Sequence, residues 1–350
     1  MPSVSAPSNA LVTGANGYLG AWLVRILIEH GYRVRGTVRT QSKGEILRES
    51  LGELGNKFEY IIVGDVLKEG AFDDAVQGMD IIMHTLSPLF QSNEPDMIIP
   101  PAVAGTIGLL KSAQKHQNTI RRVVITGSIC AVLSWPTDEP RVYEETSVNE
   151  TSVQVVEQGS VDPIAIYCAA KTHSEKRAWA YMQEQNITGF DVVYLHGSFF
   201  FGPYSHPVSS IADFGESVHR LHTIVTQGRL QNALLESGTG WIDVRDIALA
   251  HVLAGQKDEA GGQRILISAG NCVVADLNKM AHSIDPSLPE STIGVRSDNL
   301  YMFDTSKMRR VLGLEPRSLE ETIRDSLAFF RTVPGSGMKQ SSINSHTRVV

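Results

Sequence analysis

The sequence has few cysteines and no long apolar run. Its three cysteines, Cys130, Cys168 and Cys272, are odd in number and widely spaced among 350 residues. They exclude a disulfide framework and a CxxC metal site, so a reducing, cytoplasmic compartment is expected. No segment approaches the ~18 consecutive apolar residues of a membrane helix. The first eight residues lack the basic start and apolar stretch of a signal peptide. We therefore expect no membrane span and no signal peptide.

An excess of positive charge is also missing. The 31 lysines and arginines are outnumbered by 38 aspartates and glutamates, which gives a net charge of −7. This balance argues against a nucleic-acid surface. His219 and His222 lie three residues apart on an expected helix, but no third ligand accompanies them, so no metal site is expected. A hydrophobic content of 42% in 350 residues suits one large α/β domain, alone or with an appended lobe.

Apolar runs alternate with amphipathic stretches over the first 200 residues. Strands are expected at 10–12, 33–38, 58–63, 80–84, 122–126 and 190–195, with long helices at 18–30, 101–116 and 163–185. The alternation predicts an α/β fold with a doubly wound parallel (Rossmann) sheet, whose ligands bind at the carboxyl ends of the strands. We assign residues 1–200 to this Rossmann domain.

Helices dominate beyond residue 200. They are expected at 210–227, 244–255, 274–283 and 319–332, with short strands such as 264–267 between them. This pattern predicts a smaller, mostly helical lobe, residues 201–333, that packs over the ligand edge of the sheet and shapes a substrate pocket. Residues 334–350 are small and polar, which predicts a disordered tail.

A glycine-rich turn stands between the first strand and the first helix. Gly14 permits a tight turn, Gly17 lets backbone amides approach a pyrophosphate, and Gly20 lets the helix pack closely on the sheet. A glycine-rich turn without a ligand is the alternative interpretation. The turn predicts a bound dinucleotide, with cofactor contacts from Gly14, Asn16, Gly17, Tyr18, Leu19 and Gly20.

The end of the second strand indicates which dinucleotide binds. An NAD site has an acid ~20 residues beyond the glycine turn, but no acid occurs between Glu29 and Glu45. Arg39 and Lys43 lie there instead, and a guanidinium suits a 2′-phosphate, which favours NADP(H). Solvated surface charges are the alternative. Asp65 and Val66, after the third strand, are expected at the adenine, while Thr85 and Ser87, after the fourth, are expected on the nicotinamide side.

Tyr167 and Lys171 lie four residues apart on an expected helix and therefore share one face. The phenol has a pKa of about 10 when free, and a nearby ammonium and the nicotinamide would lower it toward the range of proton exchange. Ser128, expected just after the fifth strand, can polarise a carbonyl beside Tyr167. The alternative, when each is taken alone, is that Ser128 is an ordinary turn residue and that Tyr167 and Lys171 are a pair of surface residues. Together with the glycine turn they predict carbonyl reduction or its reverse.

Several segments in this order carry a resemblance to a known family. The chain resembles the extended short-chain dehydrogenases/reductases, in the dihydroflavonol-reductase-like and yeast methylglyoxal (aldehyde) reductase-like group of the NAD-dependent epimerase/dehydratase family. The resemblance spans residues 10 to about 330 and implies NADPH-dependent reduction of a ketone or aldehyde, with Ser128, Tyr167 and Lys171 as the triad. It also implies that backbone at Gly197 and Ser198 meets the nicotinamide. The segments are Leu11-Val12-Thr13-Gly14-Ala15-Asn16-Gly17-Tyr18-Leu19-Gly20, Thr37-Val38-Arg39, Gly64-Asp65-Val66, His84-Thr85-Leu86-Ser87-Pro88, Pro101-Ala102-Val103-Ala104-Gly105-Thr106, Tyr167-Cys168-Ala169-Ala170-Lys171 and Trp241-Ile242-Asp243-Val244-Arg245-Asp246-Ile247-Ala248.

Three positions depart from the family pattern. Gly127 stands where the family has a second serine before Ser128, and Gly108 stands where it has asparagine. His196-Gly197 replaces Asn-Pro, and the loss of proline is expected to loosen the backbone. Because the triad is retained, the departures suggest altered substrate handling rather than lost activity.

Two other functions compete with a carbonyl reductase. A sugar-nucleotide epimerase or dehydratase needs tightly held NAD, which Arg39 without an acidic partner disfavours. A catalytically idle NADP-sensing regulator has no use for the triad, although the unusual glycines keep this alternative open. The partner is expected to be a small carbonyl or alcohol compound, bound by a monomer or homodimer. Phe199, Phe200, Phe201, Tyr204 and the loop 135–155 suggest an apolar or aromatic substrate of a specialised biosynthetic step.

Overall fold

Twelve strands and nine α-helices occur in the part of the chain that the computed structural model describes, residues 3–86, 92–136, 139–228, 238–290 and 301–338. The strands are β1 Asn9–Thr13, β2 Arg33–Val38, β3 Phe58–Ile62, β4 Ile81–His84, β5 Arg122–Ser128, β6 Arg141–Tyr143, β7 Asp191–Gly197, β8 Phe199–Phe201, β9 Thr239–Asp243, β10 Arg264–Ile267, β11 Gly270–Cys272 and β12 Tyr301–Phe303. The helices are α1 Tyr18–Glu29, α2 Gln41–Ser50, α3 Ile99–Lys115, α4 Glu150–Glu157, α5 Pro163–Glu184, α6 Glu216–Gln227, α7 Val244–Gln256, α8 Val274–Ile284 and α9 Leu319–Phe330.

Seven strands form one parallel sheet in the order β10-β7-β5-β4-β1-β2-β3. Alternate residues of its central strands enter opposite layers: Val12 and Val124 pack beneath α1 and α7, whereas Leu11 and Val123 pack beneath α3 and α5. The strand order reverses at β1 and β4, whose carboxyl ends therefore border the crevice where such sheets bind ligands. The expected doubly wound α/β fold is confirmed.

The chain returns to this sheet after the expected boundary at residue 200. Helix α7 packs against α1, and β10 adds the edge strand next to β7. Both are strongly apolar and buried, which explains why they join the central core. The boundary at residue 200 therefore does not separate the sheet from the lobe. A second core, beyond the sheet, comprises α6, α8 and α9 and the small sheet β11-β9-β8.

Strand β5 is longer than the sequence pattern indicates. Its ladder with β7 continues through Gly127↔His196 to Ser128↔Gly197, so Ser128 is the last residue of the strand rather than a residue after it. Backbone pairing needs no apolar side chain, which is why the polar end of the strand escaped the hydrophobic pattern.

Residues 334–338, which were expected to belong to a disordered tail, pack against the second core. The Ser336 carbonyl accepts a hydrogen bond from His222 Nε2 at 2.8 Å, and Ser336 is buried. Met338 packs on the second core. Gly335 and Gly337 have φ of 75° and 73°, a conformation that lets this small, polar stretch fold back on α6. Residues 339–350 lie outside the described part of the chain. Within that part, no helix combines the length and apolar character needed to cross a bilayer.

Candidate active site

The glycine turn connects β1 to α1 in a tight arrangement. Gly14 has φ of 69°, and the Gly17 amide donates to its carbonyl at 2.9 Å. A side chain at Gly20 would collide with the same carbonyl, so only glycine lets the helix begin this close to the turn. The first turn of α1 carries no acid. A helix N-terminus of this kind suits a pyrophosphate.

Other residues of this turn are engaged within the protein. The Tyr18 hydroxyl donates to the Gly202 carbonyl at 2.7 Å, and its ring lies 4.6 Å from that of Tyr204. Leu19 is buried in the core, while Asn16 is half-buried. Any contact of Tyr18 or Leu19 with a cofactor would therefore involve their backbone, and the cofactor contacts assigned to this turn stay predictions.

Polar side chains tie the carboxyl ends of three strands together. Thr37 Oγ1 accepts from the Gly14 amide at 3.0 Å, and Thr13 Oγ1 lies 2.8 Å from His84 Nδ1. Thr85 Oγ1 donates to the Thr13 carbonyl at 2.7 Å. Burial lowers the pKa of His84 to about 3, so this ring is neutral. From the sequence we predicted a role for only one member of this network, Thr85. The signal for the others was the presence of threonines and a histidine at the ends of strands. Ser87 lies outside the described residues.

Arg39 and Lys43 lie together where β2 leads into α2. Both are exposed, and Thr40 caps the helix by accepting from the Lys43 amide at 3.5 Å. No acid occupies the first turn of α2, so two cations and a helix N-terminus share one surface. Asp65 is exposed and forms a local turn with the Leu67 amide at 2.9 Å, and Val66 packs on the core. Their assigned cofactor contacts stay predictions.

Ser128, Tyr167 and Lys171 come together at the carboxyl end of β5. Ser128 Oγ accepts from the Cys130 amide at 3.2 Å, and the serine is buried. Helix α5 presents the other two, with Lys171 Nζ 5.5 Å from the centre of the Tyr167 ring. The helix starts immediately before them, with Asp162 as its cap and proline at its first position. The arrangement places a hydroxyl, a phenol and an amine around one point.

The electrostatics of Tyr167 differ from expectation. Burial raises the pKa of its phenol, the neighbouring thiols Cys130 and Cys168 raise it further, and a hydrogen bond with Ser128 opposes them. Desolvation is thus the largest effect on this pKa in the structure, and the lowering expected from the ammonium together with a bound nicotinamide stays a prediction. Burial also lowers the pKa of Lys171 to about 8. At neutral pH the phenol is protonated, which is the form that donates a proton.

A buried set of polar residues adjoins this site. A narrow cavity of about 30 Å³, enough for a water molecule, is lined by Ser128, Lys171, Glu175 and His196 among others. Glu175 was missed, although its place four residues after Lys171 puts it on the same helix face. His196 was noted only as a departure from the family pattern.

The segment after β7 is tighter than expected. Gly197 pairs with Ile267 and with Ser128 in the sheet, and a side chain there would collide with the Phe200 ring. Ser198 is buried and its hydroxyl donates to the Ile267 carbonyl at 3.3 Å. The ladder and the aromatic ring hold this backbone in place, and the loosening expected from the loss of proline stays a prediction. The contacts of Gly197 and Ser198 with a nicotinamide stay predictions.

The fold agrees with comparisons to known proteins. The chain belongs to the NAD dependent epimerase/dehydratase family, whose model matches residues 10–270. Among curated relatives, the ketoreductase azaE of Aspergillus niger is 33% identical over 335 residues, covering 92% of this chain and 97% of its own. The NADPH-dependent methylglyoxal reductase GRE2 of Saccharomyces cerevisiae is 31% identical over 336 residues, with 91% and 96% covered. The solved structure of the yeast methylglyoxal/isovaleraldehyde reductase Gre2 complexed with NADPH matches with a TM-score of 0.79 and 29% identity, over 92% of this chain and 98% of that one.

Proposed function

We propose that this protein is an NADP-dependent oxidoreductase that reduces a ketone or aldehyde on a small molecule. The observation that carries the proposal is the convergence of Ser128, Tyr167 and Lys171 at the carboxyl end of β5. The reductases among the relatives support the same reaction class. NADPH, when bound, supplies the hydride.

The residues around the sheet edge fit this cofactor. The amides at the start of α1 would hold the pyrophosphate, and Arg39 and Lys43 would hold the 2′-phosphate. Asp65 and Val66 would border the adenine. Thr85, Gly197 and Ser198 would line the nicotinamide side, and Lys171 would bind the ribose hydroxyls.

The proton chemistry follows from the three catalytic side chains. The Ser128 hydroxyl donates a hydrogen bond to the substrate carbonyl oxygen and orients it. As the carbonyl carbon gains hydride, the Tyr167 phenol gives its proton to the oxygen, which completes the alcohol. The Lys171 ammonium stabilises the phenolate that remains until it regains a proton from solvent.

The lobe formed by α6, α8, α9 and the last residues to Met338 would close the substrate pocket. Its aromatic side chains favour an apolar or aromatic carbonyl compound: the rings of Phe199 and Phe201 stack at 6.3 Å, and Tyr204 lies 6.0 Å from Phe214. We place the reaction in a specialised biosynthetic step. Three free, buried cysteines fit a cytoplasmic location. We also propose that the protein acts as a monomer or homodimer.

Tyr167→Phe tests the proposal because it removes one oxygen and little volume. Folding and NADPH binding should survive, whereas turnover should fall by roughly 10²–10⁴-fold, the usual range for general acid catalysis. The measurement is NADPH oxidation against a panel of aryl and alkyl ketones and aldehydes, with cofactor affinity determined separately. A Phe variant as fast as the wild type would remove Tyr167 from this role. Tight NADPH binding without turnover of any compound would instead favour an idle sensor.

A further inference from the structure

The hydrogen-bonded pair of Glu175 and His196, called the bridge below, is buried beside the three catalytic residues. Glu175 follows Tyr167 and Lys171 at successive four-residue steps of α5, so all three share one helix face. His196 lies on β7, directly opposite Gly127 of β5. The exposed fractions are 5% for Glu175 and 0% for His196.

Both ring nitrogens of His196 face acceptors. Nδ1 lies 3.1 Å from the Ser128 carbonyl oxygen, and Nε2 lies 3.1 Å from Glu175 Oε1. Burial raises the pKa of Glu175, but contacts with His196 and Arg264 outweigh it and bring the pKa to about 2. The carboxylate is therefore ionised at neutral pH and can only accept, as can the carbonyl. The two ring nitrogens of His196 thus connect the carbonyl at the end of β5 to the carboxylate on α5.

Two other buried histidines show the contrast. His84 Nδ1 lies 2.8 Å from the Thr13 hydroxyl, and His251 Nε2 lies 2.8 Å from the Thr126 hydroxyl. A hydroxyl can donate as well as accept, so a neutral ring is fully bonded in these places. Burial lowers the pKa of His84 to about 3 and that of His251 to about 4. His196 differs from both because neither of its partners has a proton to give.

A third residue holds the carboxylate of the bridge. Arg264 Nε donates to Glu175 Oε1 at 2.7 Å, and its Nη2 donates to Oε2 at 3.1 Å. Arg264 Nη1 donates to the carbonyls of Glu145 and Ser147. The guanidinium thus pairs with both oxygens of Glu175, which fixes the position of the carboxylate and favours its ionised form.

The bridge requires glycine at position 127. A Cβ there would lie 2.6 Å from His196 Nδ1, so no larger residue can be present while the ring keeps this position. Positions 127 and 196 are therefore coupled, because the imidazole fills the space that the glycine leaves.

We propose that His196, held by Glu175, is a positioning residue that fixes the Ser128 end of β5 against the helix that carries Tyr167 and Lys171. The inference rests on the proposed function, because it assigns these three residues to catalysis. The bridge joins the two elements at the point where their catalytic side chains meet, so its loss displaces the serine from the phenol.

His196→Asn tests the positioning role. The turnover number should fall about 10-fold or more, as expected when a hydrogen bond to a charged group is lost, while the Kd for NADPH changes less than two-fold. His251→Asn is the matched control, since His251 is equally buried and bonds the same strand at Thr126, away from the catalytic serine. It should lose stability but keep its turnover number. Equal turnover in wild type and His196→Asn, or equal losses in both variants, would overturn the role.

Gly127→Ser gives an independent test of the coupling. Alone it should impair turnover or folding, because its side chain meets the ring. Combined with His196→Asn it should restore folding and at least the turnover of His196→Asn alone. A double variant worse than both single variants would show that the two positions are not coupled.

Histidine ¹⁵N NMR tests the bridge without any turnover, and so separates a failure of this inference from a failure of the proposed function. The ring-nitrogen resonances of His196 should shift in Glu175→Gln, because Nε2 loses its carboxylate partner, while those of His251 stay as in the wild type. Unchanged His196 resonances would overturn the bridge, whatever the enzyme reduces.

Discussion

We expect the exposed cations at the end of β2, Arg39 and Lys43, to select NADPH over NADH. Arg39→Ala should weaken NADPH binding by about 1.5–3 kcal/mol, because a charge-assisted hydrogen bond to the 2′-phosphate is lost. NADH binding should barely change. Arg33→Ala is the control, since Arg33 is exposed at the opposite end of the same strand. Fluorescence titration of the three proteins with each nucleotide gives the six dissociation constants, and equal affinity of the wild type for both nucleotides would contradict the assignment.

Lys171 should make cofactor binding depend on pH. Burial lowers its pKa to about 8, so the ammonium that would hold the ribose disappears as the pH rises through this value. The Kd for NADPH should therefore increase between about pH 7 and 9.5 in the wild type. Lys171→Met should bind more weakly at pH 7 and show no such increase; a parallel rise in the variant would assign the effect to another group.

The lowered pKa of Lys171 also determines how the free energy of unfolding changes with pH. The pKa of Lys171 is lower in the folded protein than the ~10.4 of a free lysine, so between these values the unfolded chain binds more protons. The cost of burying the ammonium is fully present below about pH 8, and the free energy of unfolding should rise as the pH passes from there toward 10.4. Urea titrations of wild type and Lys171→Met across this range measure the difference, which should be largest at low pH.

At the scale of residues, the sequence predicted those functional residues that a local strand, turn or helix pattern marks. Gly14, Tyr167 and Lys171 follow from such patterns, because a turn glycine and an i,i+4 pair are local features. Glu175 shares the helix face of this pair, which is also a local feature, but its pairing with His196 and Arg264 could not be predicted, because these residues lie 21 and 89 positions further along the chain. Whether Ser128 ends the strand or follows it also depends on pairing with β7, which no local pattern encodes.

At the scale of elements, a buried acid joins α7 to α9. Asp243 caps α7 by accepting from the Arg245 amide at 2.8 Å, and Thr322 donates to its other oxygen at 2.8 Å. Arg245 pairs with both Asp243 and Asp325. The exposed fraction of Asp243 is 0%, so the bonds to its carboxylate are made away from water. The acid thus links a helix of the sheet layer to a helix of the lobe.

Asp243→Ala should therefore cost about 2–4 kcal/mol of folding free energy, because it removes the cap of α7, the bond from Thr322 and one of the two carboxylates that pair with Arg245. Lys176→Ala is the control, since the Lys176–Glu150 pair is about half exposed and such pairs contribute about 0–1 kcal/mol. Chemical denaturation measures both. A loss below 1 kcal/mol for Asp243→Ala would show that the lobe does not depend on this link.

Helices and strands of the sheet were predictable because apolar periodicity is strong in them: α1, β2 and α5 lie within a residue or so of the expected bounds. The sequence could not predict that α7 and β10 belong to the sheet layer. An apolar helix or strand has the same sequence pattern in the core of the sheet and in the core of the lobe. Only the contacts of α7 with α1 and of β10 with β7 decide it.

At the scale of the whole molecule, the last described residues complete the lobe. A variant that ends at Val333 loses the bond of His222 to Ser336 and the packing of Met338, and its Tm should fall by a few degrees. A variant that ends at Met338 keeps both contacts and should melt like the full chain. Differential scanning calorimetry compares the three, and identical melting of all of them would mean that residues 334–338 add nothing to stability.

The position of β10 constrains how the chain can fold during synthesis. β7 lies between β5 and β10, so until residues 264–267 leave the ribosome, one side of β7 is a row of unpaired backbone amides and carbonyls on an apolar strand. Such an edge is a template for pairing with other chains. A fragment of residues 1–200 should therefore aggregate rather than fold alone, and the nascent protein should depend on chaperones until β10 closes the sheet.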